Sequence, residues 1–392
     1  MSKTDKLATL IPIHEIEMAA QNQIYAVLDL PFVKRMAIMP DAHMGYEMPI
    51  GGVAVLDGKI SPGFVGYDIG CGMCQVRTGR TASDLLPDEN ARQSVYKRLY
   101  EVIPTGLGIQ HQESVLDPSA FSLSVRKEFV PDFFVRGKKQ TKVEPVTIDQ
   151  IRAAMARQFG TLGSGNHFLE IGRSEENGEA VVTIHSGSRR PGWLVAELYM
   201  LISRHGQNHG FFDIDSDLGQ AYWEDMNFML QFALDNRKQM MKQALLVLGL
   251  GEQEVVRKID QEMINENHNH AVLCSEGVLH RKGATPADEG QMGVIPISMG
   301  SGVYVTRGLG NEKFLWSASH GAGRKMSRGN AKRNLDMDRF RKQMEGIVAP
   351  VNESTLDEAP DAYKDEDTII SAQNGIVVDV VDVVRPLIVV KG

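Results

Sequence analysis

The sequence predicts an α+β fold, and three observations carry that expectation. Trp223, Met226, Leu230, Leu234, Met241 and Leu245 recur at helical spacing between Gly219 and Leu250, which marks a long helix with an apolar stripe. The segment at 180–185, AVVTIH, alternates as a strand does, and the tail IVVDVVDVVRPLIVVKG is equally strand-like. No linker, repeat or duplication divides the chain, so one domain is expected over residues 1–392.

Taken in order, residues 1–60 supply a helix, AAQNQIYAVLDL, then the apolar segment MAIMP and a strand, GGVAVLDG. Asp41 and His43 fall between them, in a loop after the strand end, where such a pair is ordinarily a turn aspartate and a surface histidine. Four glycines in residues 63–72 then allow tight backbone bends around Asp68 and Cys71. A carboxylate and a thiol in so apolar a run call for a cation, and the pair suits a divalent transition metal better than magnesium or calcium. Taken alone, the same pair reads as a tight turn with a buried cysteine.

Residues 82–104 look helical with a charged face, and 111–145 are the least regular stretch. The densest basic run, from Arg136 to Lys142, reads first as a solvated loop and second as an RNA contact. Thr147 and Gln150 have capping-box spacing and open a helix through Arg157. The glycine turn 160–165 then delivers Asn166, His167, Phe168, Leu169 and Glu170, and glycines of this kind let backbone approach a phosphate. His185 closes the next strand and is followed by a loop, 186–192, that holds Arg189 and Arg190, a plausible metal-plus-phosphate corner. His268 and His270 are two apart and point the same way on a strand, so both can ligate, although one ligand and one bystander is the favoured split. His320 enters a glycine turn that leads to Arg324.

Bulk properties narrow the class. With 42% hydrophobic and 23% charged residues the composition is that of a soluble globular protein. No apolar run approaches the ~20 residues needed to cross a bilayer, and acids interrupt the N-terminus where a signal peptide would be apolar. Three cysteines cannot build a disulfide framework here, so a cytoplasmic, reducing setting is expected. A net charge of -8 argues against indiscriminate nucleic-acid binding but permits a local basic groove.

H-E-x-x-H, G-x-x-x-x-G-K-[ST], a complete G-x-G-x-x-G, G-x-S-x-G and K-x-D-G are all missing. Metalloprotease, P-loop kinase, dinucleotide dehydrogenase, serine hydrolase and lysine-centred nucleotidyl transferase lose ground accordingly. What remains is Asp68, Cys71, His167, His185 and His268, with His320 and Arg324 beyond them. Five such donors exceed one tetrahedral site, so two metals with a bridging thiolate are the economical expectation. Cys74 has no second C-x-x-C to complete a zinc knuckle and is assigned to the core.

The motifs DAHMGYEMPIG, VGYDIGCGM, LGSGNHFLE, HSGSR, INENHNH, SMGSG, RGLGNE, SHGAGRKMSR, AYKD and a terminal VKG occur in an order similar to that of the RtcB family of RNA-splicing ligases. The resemblance spans roughly residues 31–392. It implies mixed and antiparallel sheets flanked by helices around a central metal site. It also implies a ligase, dependent on GTP and two Mn2+ ions, that joins a 2',3'-cyclic phosphate or 3'-phosphate RNA end to a 5'-hydroxyl end in tRNA splicing or RNA repair.

By motif, Asp68, Cys71, His167, His185 and His268 resemble the metal ligands, His320 the nucleophile that takes GMP, and Asp41 the carboxylate that orients it. Asn166, Arg189 and Arg324 resemble phosphate contacts, and Phe168, Glu170, Ser298, Tyr363 and Lys391 the guanine pocket. Asn269, Pro296, Met299, Gly321, Ala322 and Gly323 complete the implied nucleotide site. Ile297 and the pair Arg190-Pro191 depart from the family pattern in segments expected to be nucleotide-contacting loops. A monomer acting away from membranes is expected, and the need for an activating archease is left open. A metal-dependent RNA-end phosphoesterase, an RNA-end-binding protein or a metal-storage protein are the alternatives. His320 with Arg324 separates the ligase from them, because neither hydrolysis nor binding needs a nucleotidyl acceptor.

Overall fold

A computed structural model describes residues 3–136, 139–142, 146–205 and 209–392. Seven antiparallel strands form the larger sheet, in the order Ile264–Asn267, Gly72–Thr81, Glu179–Ser186, Phe168–Ser174, Val378–Val390, Gly302–Gly308 and Met292–Ser298. Five strands form the second sheet, in the order Leu7–Thr9, Val33–His43, Ile50–Leu56, Gly277–Lys282 and Asn269–Cys274. Only the pairing of Leu7–Thr9 with its neighbour is parallel there. The expected α+β class with mixed and antiparallel sheets is what the chain adopts.

Strand periodicity decides which face of the larger sheet does what. Val182, Ile184, Leu169 and Ile171 bury one face in a cluster with Met240, Met241 and Leu245 of the long helix Asp217–Val247. Val181, Thr183 and His185 alternate to the opposite face, where Phe168 and Glu170 pair directly with His185 and Thr183. The helix side is therefore core, and the other side is free to carry polar groups. Cys74 lies on the core side among Val76 and Ile184, as assigned, and burial pushes its thiol up to about 12.

Several elements differ from the sequence expectation for identifiable reasons. The segment 82–104 is two helices, Ala82–Leu85 and Glu89–Val102, because Pro87 interrupts it and Asp88 caps the second by accepting from Ala91 N. Asp41 and His43 are not in a loop: they end the strand Val33–His43, whose register breaks between Ile38 and His43. The loop expected at 186–192 is shorter, since the helix Arg189–Arg204 already begins at Arg189. Ile297 lies in the strand Met292–Ser298 and not in a loop, packed with Ile295 and Val53. The capping box at Thr147 and Gln150 is present. The basic run at 136–142 falls on a hairpin, Phe133–Arg136 with Lys139–Lys142, and its residues 137 and 138 lie outside the described residues. Among the described residues no helix is long and apolar enough to cross a membrane.

Candidate functional site

Four neighbouring strands end together, and each end carries a donor. Gly72 pairs with Ser186 on one side and with Asn267 on the other, while Phe168 pairs with His185. This register places Cys71, His185, His167 and His268 at one edge of the sheet, and His268 N donates to Cys71 O at 2.8 Å. His268 also occupies the corner where the strand of one sheet passes into the strand Asn269–Cys274 of the other. Asp68 is added by the turn in which Cys71 N donates to Asp68 O at 3.0 Å.

The five donors form two sets of three that share the thiol. Cys71, His185 and His268 make one, and Asp68, Cys71 and His167 the other, with the ligand atoms of each set within 4.8 Å of one another. Cys71 Sγ lies 3.2 Å from His185 Nε2 and 3.3 Å from His167 Nε2, and His167 Nε2 lies 3.0 Å from Asp68 Oδ2. His185 Nδ1 donates to Asn166 O at 3.1 Å, and His167 Nδ1 lies 3.0 Å from Leu162 O. The His185 contact fixes the tautomer that turns its Nε2 lone pair inward, the usual way a histidine is prepared for a metal. Gly187 is needed for closeness: an added Cβ would lie 2.5 Å from Asp68 Oδ1 and 2.9 Å from Cys71 Cα.

The protein alone makes a poor home for these charges. Burial, reinforced by the Asp68 charge, pushes the Cys71 thiol well up. Burial pushes His185 and His268 well below the usual histidine range. Burial would also raise Asp68, but the hydrogen bond and charge of His167, with Arg189, hold it low. A divalent cation reverses the cost for the thiol and uses the neutral imidazoles as they stand. Sulfur, nitrogen and oxygen donors in this proportion fit a divalent transition metal.

Beside the first set lies His320, its ring centroid 4.7 Å from that of His268. Its Nδ1 is 2.6 Å from Oδ2 of the fully buried Asp41. His320 and His185 line a cavity of about 300 Å³ with Asn166, Phe168, Glu170, Pro296, Ser298, Met299, Gly321, Ala322, Gly323, Arg324, Tyr363 and Lys391. Among the residues expected at a nucleotide, Arg189 and Asn269 are elsewhere. Arg189 Nη1 sits 3.1 Å from His167 Nδ1. Asn269 braces the turn that carries Asp68, donating to Asp68 O and accepting from Gly283 N. His270 is the bystander of its pair, 3.3 Å from Arg281 Nη1.

The sequence matches the RtcB family, described as tRNA-splicing ligase RtcB, over residues 23–392. The chain belongs to the RtcB family. The RNA-splicing ligase RtcB of Escherichia coli K12 is 32% identical over 397 residues, which cover 96% of this chain and 95% of that protein. The tRNA-splicing ligase RtcB of Aeropyrum pernix is 32% identical over 433 residues, covering 92% and 88%. That of Thermococcus kodakarensis is 29% identical over 485 residues, covering 100% and 99%.

Several residues of this RtcB-family site were not anticipated. Glu358 is a buried hub that meets Arg324 at 3.1 Å, Lys391 Nζ at 2.6 Å, Tyr363 OH at 2.6 Å, and Arg328. Burial alone would raise its carboxyl, but Lys391 and Arg328 hold it below the usual range. Arg237 is fully buried and donates to Gly70 O, Ser186 O, Asn265 Oδ1 and Asn267 Oδ1, joining three of the segments that carry ligands. Asn236 beside it holds Gly160 N, Thr161 N and Gly187 O. Their signal was available, because positions 236 and 237 fall in phase with buried Met226, Met229, Ala233 and Met240.

Proposed function

We propose that this chain is an RNA ligase that joins a 2',3'-cyclic phosphate or 3'-phosphate end to a 5'-hydroxyl end, using GTP and a histidine-bound GMP. One observation carries the reading: two donor sets sharing Cys71 stand beside a histidine backed by a buried carboxylate. Asp68, Cys71, His167, His185 and His268 would hold a pair of divalent ions, manganese by the family resemblance. When bound, the pair would neutralise charge on the phosphates that gather there.

The chain's own groups divide the remaining work. The Asp41 carboxylate 2.6 Å away would favour the His320 proton on Nδ1, leaving Nε2 of this cavity-lining residue as the nucleophile. Attack by Nε2 on the α-phosphorus of GTP forms an N–P bond and releases pyrophosphate, and the positive charge left on the ring is balanced by Asp41. Transfer of GMP to the RNA 3'-phosphate frees the imidazole, and the 5'-hydroxyl then displaces GMP to form the phosphodiester.

Glu170 suits a guanine. Burial pushes its carboxyl up to about 8, and Oε1 has no hydrogen-bond partner among the described residues. A bound guanine, donating N1–H and N2–H, would favour the ionised carboxylate over the protonated form that burial prefers, whereas adenine offers an acceptor at N1. Phe168, with Lys391 Nζ 5.8 Å from its ring centroid, adds an aromatic face to the same cavity.

Incubation with Mn2+ and α-labelled GTP should leave acid-labile, alkali-stable label on the protein. ATP should label it poorly. A His320→Ala protein that takes up as much label as the wild type would refute the assignment of the nucleophile. A phosphoesterase is the lesser reading, since hydrolysis has no use for an imidazole nucleophile backed by Asp41.

A further inference from the structure

Three aromatic rings form a path over the surface outside the metal centre, and the ligase reading leaves them without a role. Tyr46 and Tyr67 have ring centroids 5.6 Å apart, and Tyr67 stacks on Trp193 at 5.7 Å with 18° between planes. Arg204 lies over Tyr46, its Cζ 4.8 Å from the centroid, and Arg190 lies over Trp193 at 4.1 Å. Tyr46 is 38% exposed, and Tyr67 and Trp193 are half-buried.

Chain connectivity ties this path to the metal centre. Tyr67 immediately precedes the ligand Asp68, and Arg190 follows Arg189, which touches His167. Lys282, 5.7 Å from the Tyr46 centroid, precedes Gly283, whose N–H donates to His268 O. Asp68, whose side chain is 34% exposed, and His167 do not line the cavity that holds His320.

We propose that Tyr46, Tyr67 and Trp193, with Arg190 and Arg204, form a platform for the unpaired bases of a single RNA strand whose end reaches the metal centre. The proposal rests on the ligase reading for the identity of that end. Every base has a π-face, so aromatic rings bind a strand without demanding a sequence, and guanidinium groups supply the phosphate contacts. Arg190 makes no ion pair among the described residues, and a base arriving on Trp193 would leave its guanidinium to a phosphate. Arg204 is paired with Glu47 at 2.8 Å and would exchange that carboxylate for a phosphate.

The test is fluorescence anisotropy of a short labelled single-stranded RNA with the full chain and Mn2+. Trp193→Ala and Tyr46→Ala should each weaken binding about tenfold, since a stacked base contributes roughly 1–3 kcal/mol, and Trp193→Phe should restore most of it. Wild-type protein should also bind less well to a strand with abasic nucleotides near its end, a comparison that needs no variant to fold. Equal affinity for abasic and intact strands, or wild-type affinity in both alanine variants, would overturn the platform, and a surface built for a protein partner would give that result. Failure of the wild-type chain to take label from GTP would instead sink the ligase reading and leave the binding comparison valid.

Discussion

His320 Nδ1 stands 2.6 Å from Oδ2 of Asp41, a carboxylate with no exposure to solvent at the end of a strand of the smaller sheet. In the proposed reaction this ion-pair contact would favour the ring proton on Nδ1 and supply a counter-charge where the ring becomes cationic. Asp41→Asn keeps the shape and removes the charge. Its rate of labelling from GTP is expected to fall by about a hundredfold or more, the usual range for a group that directs proton placement. Single-turnover labelling at saturating GTP checks this, and a rate within a few-fold of wild type would remove Asp41 from the reaction.

The shared thiol makes a second prediction, about metal. Since Cys71 belongs to both donor sets, Cys71→Ala should weaken both ions together and abolish labelling, whereas Asp68→Ala should weaken chiefly one. Manganese counted by elemental analysis after dialysis, with thermal denaturation as a check on folding, separates the two cases. Full metal content in Cys71→Ala would show that the thiol is not a bridge.

Much of this site could be read in the sequence, because short motifs hold residues that are close in the chain as well as in space. Phe168 and Glu170 are two apart on one strand and so share the cavity face, and Asp68 and Cys71 are joined by one turn. The long helix was equally legible from its stripe, although Trp223, Leu230 and Leu234 proved only half-buried and the inward face turned to include Asn236 and Arg237. Glu358 was not legible, since its role comes from Arg324, Arg328 and Lys391, brought together by tertiary folding. Asp41 looked like a turn residue because no local pattern reveals that a strand will carry it under a histidine far along the chain. The same holds for Tyr46, Tyr67 and Trp193, each unremarked in its own segment.

Arg237 yields a prediction about stability. It is fully buried, and its bonds to Gly70 O and Ser186 O satisfy carbonyls beside the turn that carries Asp68 and Cys71. Arg237→Met keeps most of the volume and strands those acceptors together with Asn265 and Asn267. The expected loss is about 2–4 kcal/mol, since neutral buried acceptors are left unpaired at roughly 1–3 kcal/mol each and water or side-chain rotation recovers part of it. Urea denaturation measures it, and a loss under about 1 kcal/mol would show that water replaces the guanidinium.

The last prediction concerns acid. His280 is wholly buried, its Nδ1 lies 3.1 Å from Val278 O, and its Nε2 accepts from Ser61 N at 3.1 Å. That arrangement needs the neutral ring, because a second proton would turn Nε2 from acceptor to donor against the Ser61 amide. Burial accordingly lowers the histidine from 6.5 to about 4, against the smaller opposing effect of the Val278 carbonyl. The folded value lies below the unfolded one, so its contribution is complete above pH 6.5 and declines as the pH falls towards 4, where only the unfolded chain takes up the proton. Between pH 6.5 and about pH 5 this one group should cost about 2 kcal/mol. His280→Gln, which keeps a donor and an acceptor but cannot titrate, should be less stable than wild type at neutral pH yet show a shallower decline on acidification. Urea midpoints measured across that interval compare the two slopes, and parallel curves would place the acid sensitivity in other groups, with His270, lowered to about 3, the first to examine.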